Sequence, residues 1–195
     1  MKVEIRNNSV NISGYVNVAS RDSRMLPSSK GTFIEQVEPR AFERALTRTD
    51  NVDLLFNHLA TRKLGSTQEG NLKLHEDAIG LYAETTVTDP EVVKKAQDGE
   101  LRGWSFGFIA KEDRWDDSTN PQRRYLKDLD LLEVSILSVT PAYTAMSLEA
   151  RGDEMLVVEQ RFESFDDVKI IEEKREEEFD QSAFRDLENY LTIKK

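Results

Sequence analysis

The chain has 195 residues, 38% hydrophobic and 33% charged, which suffices for one core of ordinary domain size plus an appendage. It contains no cysteine, so disulfides, thiolate metal sites and cysteine protease chemistry are excluded. The net charge of −10 argues against direct nucleic-acid binding, and because it has neither a signal peptide nor an apolar run of roughly 20 residues, we expect a cytoplasmic protein without membrane contact.

The first third of the chain predicts short strands and one helix. Alternating apolar residues indicate a strand from Val10 to Val18, and Lys2 to Arg6 supplies a second candidate. The stretch from Asp22 to Gly31 predicts a loop, and Pro39 to Leu46 predicts a short helix that begins at the proline. Val52 to His58 predicts a strand that carries a half-buried histidine at its C-terminal end.

The middle of the chain predicts a hairpin and a second helix. The hairpin joins Leu72 to His75 and Ile79 to Val87 through a tight turn. The helix runs from Pro90 to Asp98, because Asp89 is a good cap, proline suits the first helical position and Gly99 ends the pattern. This helix leads directly into the most informative stretch of the sequence.

That stretch runs from Leu101 to Phe108 and reads as a strand that carries a nucleophile. Because side chains alternate along a strand, Ser105 points away from an apolar face that consists of Trp104, Phe106 and Phe108. Glycines two residues to either side leave its face bare, which gives room for a peptide substrate. A glycine-flanked serine beside a β-bulge explains the same residues equally well when they are taken alone.

Serine needs a general base, and the chain offers two histidines. Residues 103–107 match the G-x-S-x-G elbow of α/β-hydrolases, but there a helix and the histidine follow the serine, whereas His58 and His75 both precede Ser105. We favour His58 as the base and expect His75 to be an exposed turn residue. A satisfied core histidine is the alternative for His58.

The third catalytic group is expected on a later strand. Glu112 to Arg124 predicts a loop, and Leu126 to Val139 a long apolar strand in which Glu133 is the exceptional member. A buried carboxylate is costly unless it is paired, and accepting a hydrogen bond from an imidazole offsets that cost. The alternative is that Glu133 lies at a strand edge or pairs with an arginine such as Arg102 or Arg124.

The last part of the chain differs in kind from the rest. From Glu149 to Lys195 there are 15 acidic and 8 basic residues, a net charge of −7. We therefore predict a domain over residues 1–150 and an acidic, helical or disordered tail over residues 151–195. Within the tail, only the stripe formed by Phe184, Leu187, Tyr190 and Leu191 predicts a helix.

Five motifs in this order carry a family resemblance over roughly Val10 to Leu148. They are Leu54-Leu55-Phe56-Asn57-His58, Leu64-Gly65-Ser66-Thr67, Gly80-Leu81, Arg102-Gly103-Trp104-Ser105-Phe106-Gly107-Phe108, and Leu132-Glu133-Val134-Ser135-Ile136 with Pro141-Ala142-Tyr143. Together they resemble the prohead proteases of tailed phages, a family similar to the herpesvirus assemblins.

The resemblance implies a fold and a function. The fold would be mainly β with flanking helices, a closed antiparallel β-barrel of assemblin type, with the catalytic serine and histidine, here Ser105 and His58, on its strands. Glu133 is our choice for the third catalytic residue, and we expect no cofactor or metal. Assemblins have a second histidine where this chain has Glu133. Backbone N–H groups near Ser138 to Tyr143 are the suggested oxyanion donors.

The implied function is capsid maturation. Such a protease acts inside the procapsid in the bacterial host cytoplasm, removes scaffold or the N-terminal region of the major capsid protein, and often cleaves itself. Whether it forms a homo-oligomer is left open. Two alternatives are a non-catalytic scaffold or capsid-assembly protein and a serine esterase on the same barrel.

Overall fold

The computed structural model describes residues 1–28, 31–138, 146–151, 154–164 and 169–172 of the chain. Their fold is mainly β, as predicted, with two short helices. In chain order the elements are β1 (Lys2–Arg6), β2 (Ser9–Val18), β3 (Leu26–Ser28), β4 (Gly31–Val37), α1 (Ala41–Arg48), β5 (Asp53–Phe56), β6 (Leu59–Ser66), β7 (Leu72–Glu76), β8 (Gly80–Val87), α2 (Pro90–Gln97), β9 (Gly103–Asp116), β10 (Gln122–Leu137), β11 (Met146–Arg151), β12 (Glu154–Ser164) and β13 (Lys169–Glu172).

The strands form two sheets. The smaller sheet has the order β13-β1-β2-β8-β7, and it contains the predicted hairpin as the antiparallel pair β7 and β8. The larger sheet has the order β11-β12-β9-β10-β4-β3, with β5 on the second half of β10 and β6 beside β5. Aromatic and aliphatic side chains of both sheets share one core, which includes Ile12, Leu54, Trp104, Phe106 and Phe108.

The two helices cover the sheets and begin close to the predicted positions. In α2 the Asp89 side chain accepts hydrogen bonds from the backbone N–H groups of Glu91 and Val92, as expected for a cap. Helix α1 begins at Ala41 instead of Pro39, because Arg40 has a left-handed backbone with φ 70° and acts as its N-cap. Within the described part of the chain, neither helix has the length and apolar character that crossing a bilayer requires.

The predicted loop from Glu112 to Arg124 is wrong. Strands β9 and β10 continue through it as an antiparallel ladder and leave only residues 117–121 as a turn. This extension is mostly polar, with Trp115 and Tyr125 as its aromatic residues, so it lacks the regular alternation of apolar residues by which a strand is predicted from sequence. Pairs such as the Arg114 guanidinium over the Tyr125 ring, 4.0 Å from its centroid, support it instead.

Two strands lie beyond the predicted domain boundary at Ala150. Strand β12 lies beyond it and pairs with β9 from Phe108↔Glu159 to Gly103↔Ser164, and β13 pairs with β1. The first part of the predicted tail is therefore part of both sheets. The stripe from Phe184 to Leu191 lies outside the described residues.

The barrel expectation is met only in part. The pairs β10–β4, β10–β5 and β1–β13 are parallel, so the larger sheet and the smaller sheet are both mixed. Among the described strands the hydrogen-bonded order gives two sheets rather than one closed ring. Closure into a barrel stays a prediction.

Candidate active site

Ser105 lies in the middle of the larger sheet. On β9 it is opposite Ser135 of β10 and Phe162 of β12, and it is fully buried. The flanking aromatic residues Trp104 and Phe106 are buried in the core, as the alternation predicted. The serine hydroxyl therefore stands on the opposite face of a strand that is fixed on both sides.

His58 reaches that face from a tight turn. Strand β5 ends at Phe56 and β6 begins at Leu59, so Asn57 and His58 form a two-residue hairpin loop with φ values of 53° and 60°. The positive φ values are those of a type I′ turn. Parallel pairing of β5 with β10, continued by a 3.0 Å hydrogen bond from the Asn57 N–H to the Ile136 carbonyl, brings this turn beside β10.

Hydrogen bonds through Asn57 hold the turn in place. Its side-chain amide donates to the Ser138 hydroxyl at 3.1 Å and accepts from the Ser138 backbone N–H at 2.9 Å. The sequence predicted His58 as the last residue of a strand that begins at Val52, in which side chains alternate between the two faces. Instead, the left-handed backbone turns the imidazole out of that alternation and towards Ser105.

Glu133 lies on β10, two residues before Ser135 and opposite Gly107. It is 8% exposed, in agreement with the expectation of a buried carboxylate. A Cβ at position 107 would lie 2.5 Å from Glu133 Oε1. The glycine after the serine therefore makes room for the carboxylate, which is a different reason from the substrate clearance that the sequence suggested.

The three predicted residues are brought together in a line. His58 Nδ1 lies 2.6 Å from Glu133 Oε1, and His58 Nε2 lies 2.6 Å from Ser105 Oγ. A histidine placed between a hydroxyl and a carboxylate can take the hydroxyl proton, while the carboxylate orients the ring and stabilises the imidazolium that forms. The geometry is that of an activated serine nucleophile.

The alternative partners of Glu133 are engaged elsewhere or exposed. Arg124 binds Asp113, Glu35 and Glu159, and Arg102 is exposed. His75 is exposed, as expected, although it lies in β7 of the smaller sheet and not in a turn. Its ring packs 5.3 Å from that of Tyr82.

Sequence reasoning did not assign a role to Ser135. Its buried hydroxyl donates to Glu133 Oε2 at 2.7 Å and accepts from the His58 backbone N–H at 3.2 Å. The available signal was its position, because residues 133 and 135 share one face of the same strand.

A backbone carbonyl of β12 also faces the Ser105 hydroxyl. Ser105 Oγ donates to the Arg161 carbonyl oxygen at 2.6 Å. The hydroxyl has one hydrogen, so at a given moment it donates a hydrogen bond either to this carbonyl or to His58 Nε2. When the imidazole is protonated, Nε2 donates to Oγ and the hydroxyl donates to the carbonyl; when Nε2 is free, it can accept the hydroxyl hydrogen.

A buried cluster of charges holds β12 against the rest of the sheet. Arg161 Nε donates to Glu35 of β4 at 2.6 Å, and Arg124 of β10 donates to Glu159 of β12 at 2.6 Å. Burial acts to raise the pKa of Glu159, but the hydrogen bond from Arg124 and the charge of Arg161 outweigh it and hold that pKa below its ordinary value. Two charges of the predicted tail, Glu159 and Arg161, are thus paired inside the fold.

Two further expectations concern ligands and oxyanion donors. No group of three histidine or acidic side chains that could hold a metal ion occurs in the ranges that the structure describes. Of the suggested oxyanion segment from Ser138 to Tyr143, all residues after Ser138 lie outside the described residues.

Comparison with known proteins gives two matches. A sequence model of the family described as caudovirus prohead serine protease matches residues 1–161, a range that contains the whole site. The chain is also similar to the prohead protease of Escherichia phage T5, with 29% identity over 136 residues, which are 67% of this chain and 58% of the phage protein. The chain thus spans less than two thirds of that relative's length. No solved structure gives a significant match.

Proposed function

Since this chain belongs to the family of caudovirus prohead serine proteases, we propose that it is a serine endopeptidase with Ser105 as nucleophile, His58 as general base and Glu133 as the orienting acid. One observation carries the proposal: the two 2.6 Å contacts that join the carboxylate to the imidazole and the imidazole to the hydroxyl.

The proposed reaction follows from the order of these groups. Ser105 Oγ attacks the scissile carbonyl carbon while His58 Nε2 takes the hydroxyl proton, and Glu133 stabilises the imidazolium. Collapse of the tetrahedral intermediate breaks the C–N bond, and His58 returns the proton to the leaving amine. Water then attacks the acyl-enzyme with His58 again as base, which releases the acid product and restores the serine.

The proposed substrates follow from the family description, which names a serine protease of the prohead. We infer that the protein cleaves scaffold or the N-terminal region of the major capsid protein, and also itself, inside the procapsid in the bacterial host. The finer fold proposal is the closed barrel of the herpesvirus assemblins. No cofactor takes part in the proposed chemistry.

A fluorophosphonate probe and a cleavage assay test the proposal together. The wild-type protein should be labelled on Ser105, and mass spectrometry after incubation with its capsid protein should find defined cleavage products. Ser105→Ala should abolish both signals, with a loss on the order of 10⁶ in rate. The matched control is Ser66→Ala, which removes another buried serine hydroxyl, on β6, and should keep both.

The outcomes separate the candidate functions. Cleavage that persists in Ser105→Ala would refute the proposal. An unlabelled wild-type protein that still binds capsid protein would indicate a non-catalytic assembly role. Labelling with ester hydrolysis but without peptide cleavage would indicate an esterase.

A further inference from the structure

A closed ring of hydrogen bonds joins His58, Glu133 and Ser135. The His58 backbone N–H donates to Ser135 Oγ at 3.2 Å, Ser135 Oγ donates to Glu133 Oε2 at 2.7 Å, and Glu133 Oε1 contacts His58 Nδ1 at 2.6 Å. We propose that Ser135 is a positioning residue for the proposed peptidase reaction, which fixes Glu133 and the turn of His58 relative to each other. This inference rests on the proposed function of the same site.

The direction of the hydrogen bonds around Ser135 is fixed by chemistry. A backbone N–H can only donate, so the Ser135 oxygen accepts there and its one hydrogen is left for Glu133. This assignment does not depend on which imidazole nitrogen carries a proton. We do not expect Ser135 to act as a nucleophile, because it donates its one hydrogen to a carboxylate oxygen of Glu133.

Glu133 needs a second hydrogen bond for its carboxylate to stay in the plane of the imidazole. The terminal torsion of a glutamate is broad, so one contact through Oε1 leaves the group free to rotate. The side chain is also buried, where an oxygen without a donor is costly. The Ser135 hydroxyl supplies the donor to Oε2 and removes this rotation.

The same hydroxyl fixes the backbone that carries the base. His58 lies in a two-residue turn with a left-handed backbone, and its N–H finds its acceptor on β10. Ser135 is opposite Ser105 in the ladder, so it is anchored to the strand of the nucleophile as well. The Ser135 side chain thus fixes the positions of both the base and the acid relative to strand β10.

The test removes the Ser135 hydroxyl in two backgrounds. In the wild-type background, Ser135→Ala should lower kcat and the rate of fluorophosphonate labelling by about 10- to 100-fold, because misplacement of a catalytic group by about 1 Å costs about this much, with KM essentially unchanged. In a Glu133→Gln background, the same change should cost clearly less, because the carboxylate that Ser135 positions is already lost and only its contact with the His58 backbone remains.

Matched variants separate the hydroxyl from side-chain volume. Ser135→Thr and Ser135→Val differ mainly in one hydroxyl, so the first should recover activity over the second. Ser66→Ala removes a buried hydroxyl that accepts a hydrogen bond of 3.1 Å from the Glu69 backbone N–H. This control variant should leave kcat unchanged. If the larger residues do not fold, the Ser135→Ala cycle still decides, because it adds no volume.

Three results would overturn the inference. They are an equal loss for Ser135→Ala in both backgrounds, a loss that appears only in KM, and wild-type rates for Ser135→Ala while Glu133→Gln is impaired. The last result would leave the proposed catalytic residues standing. A wild-type protein that neither labels nor cleaves would instead overturn the proposed function, and this inference with it.

Discussion

Gly107 is the position where one methyl group should do the most damage to the site. In Gly107→Ala the new Cβ would lie 2.5 Å from Glu133 Oε1 and 3.1 Å from its Cδ and Cγ, whereas ordinary contacts begin at 3.4 Å. The carboxylate must therefore move by about 0.9 Å, away from a hydrogen bond of 2.6 Å to His58. A shift of this size costs about 10²-fold in rate, and overpacking costs about 1–3 kcal/mol in the free energy of unfolding.

Peptide hydrolysis and thermal unfolding measure the two effects of Gly107→Ala separately. Glu133→Ala removes the three atoms nearest to the new Cβ, so in that background the loss of stability should largely disappear. Wild-type kcat in Gly107→Ala would refute the reasoning, because Glu133 would then have moved without consequence. An equal loss of stability in both backgrounds would show that the clash involves other atoms.

The remaining predictions concern the base, the boundary and pH. His58→Ala should be as inactive as the serine variant and His75→Ala near wild type in the same peptide assay; the reverse pattern would exchange their roles. Truncation after Ala150 removes β12, so we expect loss of cooperative unfolding in calorimetry as well as of activity, and an active truncated protein would contradict the role of β12. Because the pKa of Glu159 is lowered in the fold, its charge stabilises the protein above the ordinary glutamate range, and this stability is lost as pH falls below about 4.5. Glu159→Gln should therefore be less stable at pH 7 and show a weaker acid dependence in denaturant titrations; an unchanged acid dependence would contradict this.

The residues that the structure brings together were the ones with local signals. Ser105 lies between aromatic residues on alternate positions of one strand, and Glu133 interrupts a run of leucines and valines. Both signals arise from the strand that carries the residue, so they can be read without knowing which strands pair. The order of the motifs along the chain then connected Ser105 and Glu133 with His58.

What was missed depends on pairing between distant strands. Ser135 meets the His58 backbone only when β5 lies beside β10, and the Arg161 carbonyl meets Ser105 only through the pairing of β12 with β9. The long-range partners of Glu159 and Arg161 cannot be read from the sequence, because Arg124 lies 35 residues from Glu159 and Glu35 lies 126 residues from Arg161. Local composition carries no trace of such partners.

The turn of His58 has a consequence for how this family should diverge. Two-residue hairpins with positive φ at both positions favour Asn-Gly, and Asn57 already supplies the first residue. A histidine at the second position costs about 1 kcal/mol of backbone strain that glycine avoids, so His58→Gly should recover part of that strain while it removes the proposed base. Related chains without the proposed peptidase activity are expected to drift towards Asn-Gly here, so this dipeptide would mark relatives that keep the fold but lack the proposed base.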